Sequence, residues 1–258
     1  MKVNFLDLKA QYLSIKDEID EAIQNVLIDT AFTAGPYVKS FEENFAEKHG
    51  AKCCVGVNSG TAALHTALMA LDIKAGDEVI VPTNTFFATP EAVSLCGAKP
   101  VFVDCEIDYY NIDPEKIEKA ITPNTKAIIA VNLYGQAAML DIIKEIADRH
   151  HLFLIEDCAQ AHIAEYKERF VGSYGICGCF SFYCGKNLGA YGEGGAIITD
   201  DVNLYKKIMM IRDHGSSQKY HHEIIGHNYP LPERGRAILD VKLKYLDNWT
   251  NIRSRSPS

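Results

Sequence analysis

The chain has 258 residues, of which 47% are apolar and 23% charged, with a formal net charge of -8. These globular values argue against disorder, and the length suits one large domain with a core, or one domain and part of a second. An acidic balance without any Lys/Arg-rich run disfavours a nucleic-acid binder, and no apolar run approaches a membrane span.

The opening MKVNFLDLKAQYLSIKDE lacks the uninterrupted apolar stretch of a secretion signal. Eight cysteines occur without a CxxC pair, so neither a zinc ribbon nor a thioredoxin-type site is signalled. Cys105 and Cys179 sit in apolar runs and are expected to pack as small hydrophobes. The expectation is a soluble, reduced, cytoplasmic protein.

Taken in chain order, Ser14 is expected to open a helix with Ile15, Ile19, Ala22, Ile23, Val26 and Leu27 on one face. A second helix begins at Pro36, with Phe41 and Phe45 facing inward. A helix from Thr61 then precedes a buried strand, Glu78 to Pro82. FFATPEAVSLC reads as helix, KPVFVDC as strand, and Asp113-Pro114 starts the helix PEKIEKAI. AIIAVNLYG is a strand, DIIKEIADRHH a helix and LFLIEDC a strand. GCFSFY, a glycine-rich loop, GGAIITD and a helix from about Val202 follow. Apolar strands alternating with helices predict an α/β fold with a mainly parallel sheet covered on both faces. Such sheets place ligands at the carboxyl ends of their strands.

Three features fall at those ends. Asp157 follows LFLIE, Lys186 lies in CGKNLGAYGEGG after CFSFY, and NSGTAAL places Gly60, Thr61 and Ala62 at a helix start. Each has a bland reading alone: a helix cap, a turn residue, a solvated lysine. Pyridoxal phosphate (PLP) needs all three together. A helix N-terminus receives its phosphate, a carboxylate keeps its pyridine nitrogen protonated, and a lysine amine bonds its aldehyde carbon.

The strings NSGTAAL, IEDCAQAH and SFYCGKNLGAYGEGGAI, in this order, resemble the DegT/DnrJ/EryC1/StrS family of sugar aminotransferases. NFLDLKAQY, FTAGPYVKSFEENFA and DHGSSQKYHHEIIGHNY match it too, so the resemblance runs from residue 4 to about 229. It implies the aspartate-aminotransferase-like architecture (fold type I), with Lys186 as the Schiff-base lysine and Asp157 at the pyridinium nitrogen. By the same resemblance Gln160 lies near the ring hydroxyl, and Thr61 and Ala62 (amides) and Ser181 (hydroxyl) meet the phosphate. Phe86 stacks on the ring, although plain core is nearly as good a reading, since Phe87 beside it is also expected to be buried. Asn228 reaches the phosphate of a neighbouring subunit, implying a homodimer with shared sites. Cys184 stands where the family usually has proline, and Ile163 where glycine is common.

The implied reaction transfers the amine of an amino acid, glutamate, through PLP to a nucleotide-linked keto-deoxysugar, for surface polysaccharide or glycosylated metabolites. The related sugar dehydratases carry histidine at the lysine position, so Lys186 argues for transamination. A rival from another class is a non-catalytic regulatory or scaffolding protein retaining the fold. A P-loop is excluded, because six residues separate Gly178 from Gly185-Lys186 and Asn187 follows the lysine. GEGGA does not spell GxGxxG. His214, His221 and His222 lack a completing carboxylate or Cys, so no metal site is expected.

The expected organisation is an N-terminal segment and helix over 1–30, a PLP-binding large domain over 31–229, and from 230 to 258 the start of a long helix toward a small domain that is largely missing. Pro230 and Gly235 replace the family's arginine and glutamine there. Ile238, Val241, Tyr245 and Trp249 give that helix an apolar face expected to lie open to water.

Overall fold

A computed structural model describes residues 6–32 and 36–254, with side chains described from residue 40 in the second stretch. The strings NFLDLKAQY, FTAGPYVKSFEENFA and NIRSRSPS therefore lie partly outside the described residues.

Two short helices open the chain, α1 (Leu8–Ser14) and α2 (Lys16–Ile28), followed by α3 (Pro36–Lys48). Then come β1 (Cys53–Val57), α4 (Gly60–Ala70), β2 (Glu78–Pro82), α5 (Ala88–Leu95) and β3 (Lys99–Val103). The alternation continues with α6 (Pro114–Ala120), β4 (Thr125–Val131), α7 (Leu140–Arg149) and β5 (Phe153–Asp157). A small hairpin, β6 (Glu165–Tyr166) and β7 (Arg169–Phe170), leads to β8 (Cys177–Ser181), β9 (Gly195–Thr199) and α8 (Val202–Arg212). A second hairpin, β10 (Ser216–Gln218) and β11 (His221–His222), precedes α9 (Glu233–Leu243) and α10 (Leu246–Ser254).

Seven strands form one sheet in the order β1-β9-β8-β5-β4-β2-β3. β3, β2, β4, β5 and β8 are parallel, and β9 runs antiparallel to both β8 and β1. β1 therefore points the same way as β8, and six strands end at one edge of the sheet while β9 starts there. Successive side chains of a strand face opposite ways. Ile128, Leu154, Phe180 and Ile198 accordingly enter the core under α3 and α7, whereas Ile129, Ile155, Cys179 and Ile197 pack beneath α4 and α8.

The first helix departs from expectation. Ser14 ends α1 instead of opening a helix: Asp7 caps α1, and the backbone breaks at Ile15, whose φ is -132°. Ile19 and Val26 are buried on α2, but Leu27 is exposed, because the face turned to the protein is set by α9. Cys179 is buried as expected, while Cys105 is half-buried beside Thr83.

The last segment also differs. The helix breaks at Lys244, so α9 and α10 are separate elements. The apolar face of α9 is not open to water: Ile238 and Val241 pack with Ile15 and Ile19, flanked by Tyr245 and Trp249. Helix α2, with Tyr12 of α1 and Tyr191, covers what the sequence pattern left without a partner. Leu231 is buried, and Arg236 lies between Glu42 and Glu233, so the stretch from Pro230 to Arg236 is built into the domain. Among the described residues, no helix is long and apolar enough to cross a membrane.

Candidate active site

The carboxyl ends of the strands surround a cavity of about 690 Å³, within the range of small-molecule and cofactor sites. Each wall has its own strand. β1 delivers Ser59, Gly60 and Thr61; β2 delivers Thr85 and Phe86; β5 ends on Asp157 and β8 on Ser181; and Glu193 precedes β9. Lys186 and Gln160 lie on the loops after β8 and β5 and also line the cavity.

The α4 N-terminus is built for close approach. Ser59 caps it, its hydroxyl accepting the Ala62 N–H at 3.0 Å. That bond occupies the Ala62 amide, so the groups left for an anion are the first amides, Gly60 and Thr61, which have no acceptor within the helix. A side chain at Gly60 would meet Ser181 Cβ at 2.7 Å, so glycine is what lets the helix end touch the end of β8. Ser181 thereby adds a hydroxyl beside the same amides.

Asp157 is 6% exposed. Its Oδ2 accepts the Thr89 hydroxyl at 2.9 Å, and its Oδ1 accepts the Ala159 N–H at 3.1 Å. Burial raises its carboxyl above the usual range, opposed by those two hydrogen bonds and by the positive charge of Lys186. Burial in turn lowers the Lys186 amine, and Asp157 opposes that shift. A buried carboxylate and a half-buried amine therefore act on each other across one cavity, with the amine easier to deprotonate than a surface lysine. Strand alternation sends the neighbouring Glu156 to the other face. There its carboxylate accepts the Gly172, Tyr174 and Gly175 N–H groups at 2.6, 2.7 and 2.9 Å.

Gln160 is held in place by the Tyr134 N–H, which donates to its Oε1 at 2.9 Å. Phe86 lines the cavity and is 71% exposed, as is Phe87. This corrects the expectation that Phe87 is core: it lines a separate surface groove with Pro90, Leu95 and Phe102, and among the described residues both rings stay exposed. Asn228 does not line the cavity; it bridges Asp213 and its carbonyl accepts from Asn58 at 3.4 Å. Ile163 has φ +52°, a left-handed backbone costly for a β-branched residue.

Sequence reasoning missed Thr89, Ser59 and Glu193. Thr85 and Thr89, one turn apart and joined at 2.8 Å, carried a signal in TFFATP; Ser59 carried one as the cap before Gly-Thr. Nothing local marks Glu193 as facing the same space.

The donor set fits PLP: free amides and a hydroxyl for a phosphate, a buried carboxylate for a ring nitrogen, and an amine of lowered basicity. The comparisons agree with that fit. The chain is 47% identical over 253 residues, 98% of its length, to a dTDP-3-amino-3,4,6-trideoxy-alpha-D-glucose transaminase of Streptomyces venezuelae, and spans 67% of that protein. It is similar to the crystal structure of S. venezuelae DesV in complex with a ketimine intermediate, with a TM-score of 0.96, 47% identity, and 98% of this chain and 68% of that one covered. It is also similar to the structure of NtdA from Bacillus subtilis with bound cofactor PMP, with a TM-score of 0.91, 36% identity, and 96% of this chain and 57% of that one covered. Residues 13–256 match the DegT/DnrJ/EryC1/StrS aminotransferase family, and with a buried Asp157 facing Lys186 over the α4 N-terminus the chain belongs to that family.

Proposed function

We propose that this protein transfers the amino group of an amino acid, glutamate, to a nucleotide-linked keto-deoxysugar, in the making of surface polysaccharide or glycosylated metabolites. The observation that carries the reading is that Lys186, Asp157 and the α4 N-terminus line one cavity. The S. venezuelae relative, a dTDP-aminosugar transaminase, supports the sugar acceptor.

Bound PLP supplies an electron sink for the pair left behind when the substrate carbon loses its proton. The chain's own residues do the rest. The Gly60 and Thr61 amides and the Ser181 hydroxyl hold the phosphate, and the α4 dipole favours its charge. Asp157, kept from water and oriented by Thr89 and Ala159, holds a proton on the ring nitrogen. Gln160 and Phe86, which line the same cavity, would meet the ring hydroxyl and the ring face. Lys186 would take the proton from the substrate carbon and return it to the cofactor's C4′, a task suited to an amine whose basicity burial has lowered.

A second copy completes the site in this reading. Asn228 lies outside the cavity of its own chain, and the exposed Phe86 leaves the cavity wall open on its side, so a homodimer sharing its sites brings Asn228 to the partner's phosphate.

The test is to incubate the PLP-loaded protein with glutamate and a panel of nucleotide-linked 3-keto and 4-keto sugars, following 2-oxoglutarate and the aminated sugar. Formation of one amino sugar with matching 2-oxoglutarate supports the reading. Visible colour without any turnover across the panel and a range of amino donors overturns it.

A further inference from the structure

We propose that Lys242 is a positioning residue that ties the loop carrying Lys186 to α9. The inference rests on the reading of Lys186 as the cofactor-bearing lysine.

The loop after β8 folds back on itself. The Lys186 N–H donates to the Tyr183 carbonyl at 2.8 Å, and the Ala190 N–H donates to the Phe182 carbonyl at 2.8 Å. Gly189 sits against the Cys184 carbonyl so tightly that any side chain there would collide with it. Leu188 and Ala190 are buried. This folding turns the Gly189 carbonyl away from the cavity and toward α9. There the Lys242 ammonium donates to it at 2.7 Å and lies 4.4 Å from the centre of the Tyr191 ring. Tyr191 is in turn braced edge-on by Tyr12 of α1, with ring centres 6.2 Å apart. The loop is thus held from behind by one charged hydrogen bond, three residues from Lys186, and one cation–π contact, five residues from it.

Lys242 is 1% exposed. Global stability does not explain a lysine in such a place. Burial brings its ammonium down to about 8, the nearby Cys184 thiol only partly opposing the shift, and an apolar residue of similar shape at a buried charged position is often neutral or stabilising. What an apolar residue cannot do is hold the Gly189 carbonyl. A hydrogen bond from a charged donor is among the stronger ones, and its loss falls on the loop, not on the sheet. The tether fixes where the backbone between Gly185 and Gly189 runs, and so where the Lys186 amine stands relative to Asp157.

The test is Lys242→Met, which keeps length and apolar bulk and removes the donor. Three readouts are taken on the full chain: melting temperature, amide hydrogen exchange without cofactor, and the rate at which added PLP is captured, followed by borohydride reduction and peptide mapping. The expected result is an unchanged or higher melting temperature, exchange at residues 184–190 faster by about tenfold, and capture on Lys186 slowed by a similar factor. Loop exchange and capture both unchanged would overturn the proposal. So would exchange accelerated equally in β8, β9 and α9, which marks a merely structural residue. Should Lys242→Met not fold, Lys242→Leu, which also lacks a donor, is read in the same way. Its faster exchange must again be confined to the loop, and an unchanged or uniform pattern overturns the inference. Mapping that finds PLP on another lysine refutes the cofactor assignment, while the exchange data still decide the tether.

Discussion

The Thr89 hydroxyl, in the first turn of α5, donates a 2.9 Å hydrogen bond to Oδ2 of Asp157 at the end of β5. It is one of two donors that hold this buried carboxylate, the Ala159 amide being the other. Removing the carboxylate's charge and loosening its orientation are therefore separable. Asp157→Asn cannot keep a ring nitrogen protonated, and turnover should fall several hundredfold, about 3–4 kcal/mol of barrier. Thr89→Val should lose only about tenfold. It should also move the acid limb of the rate profile to higher pH, since a hydrogen bond that lowers the Asp157 carboxyl is gone. Turnover and its pH profile check both, and an Asp157→Asn enzyme within a few-fold of the parent would mean that Asp157 is only a turn residue.

Lys186→Ala should lose the visible colour of the lysine-bound cofactor and all measurable turnover, while PLP still associates through the phosphate cradle of Gly60, Thr61 and Ser181. Equilibrium dialysis with PLP and an absorbance spectrum separate the two effects. Colour that persists after the substitution would move the cofactor to another lysine.

Glu156 is buried and gathers three backbone N–H groups of the turn from Gly172 to Gly175. Glu156→Gln keeps the shape but turns an amide NH2 toward donors that need an acceptor. The expected cost is about 2–4 kcal/mol in denaturant unfolding, with the affinity for PLP unchanged in the protein that remains folded. A loss below about 0.5 kcal/mol would show that the turn does not depend on the carboxylate.

Two buried histidines set an acid limit. Burial lowers His49 to about 4 and His162 to about 3, against an ordinary value near 6.5. Both stay neutral in the folded chain while the unfolded chain protonates them. Their contribution to stability is thus complete above pH 6.5 and is lost as the pH falls toward 4 and then 3. Each histidine adds about 1.4 kcal/mol per pH unit to the slope between roughly pH 6 and 4. Replacing His162 by leucine should remove its share, visible as a shallower fall of unfolding free energy across that window. An unchanged slope would show that His162 does not titrate on unfolding.

The places of the main cavity-lining residues were legible in the sequence because each is announced by the element before it. A run such as LFLIE reads as a strand of a covered sheet, so the polar residue that ends it stands at the sheet edge where ligands bind; that places Asp157, and its company with Lys186 and Thr61 gives it a role. Thr61, after a cap and before TAALHTALMAL, follows from helix chemistry in the same way. What joins them is long-range. β9 runs against its neighbours, which turns Glu193 toward the cavity, and no local pattern sets a strand's direction. Which face of α2 is buried depends on α9, more than two hundred residues away, so the periodicity that included Leu27 could not exclude it. The same contact covers Ile238 and Val241, whose apolar stripe reads as unpartnered when the chain is taken element by element. Lys242 is the clearest case. A lysine in VKLKYL reads as solvated, and only the packing of α9 beneath the Lys186 loop buries its ammonium and turns it toward the Gly189 carbonyl. Periodicity reports whether a residue suits a surface or a core; which partner meets it is decided by the order and direction in which the strands assemble.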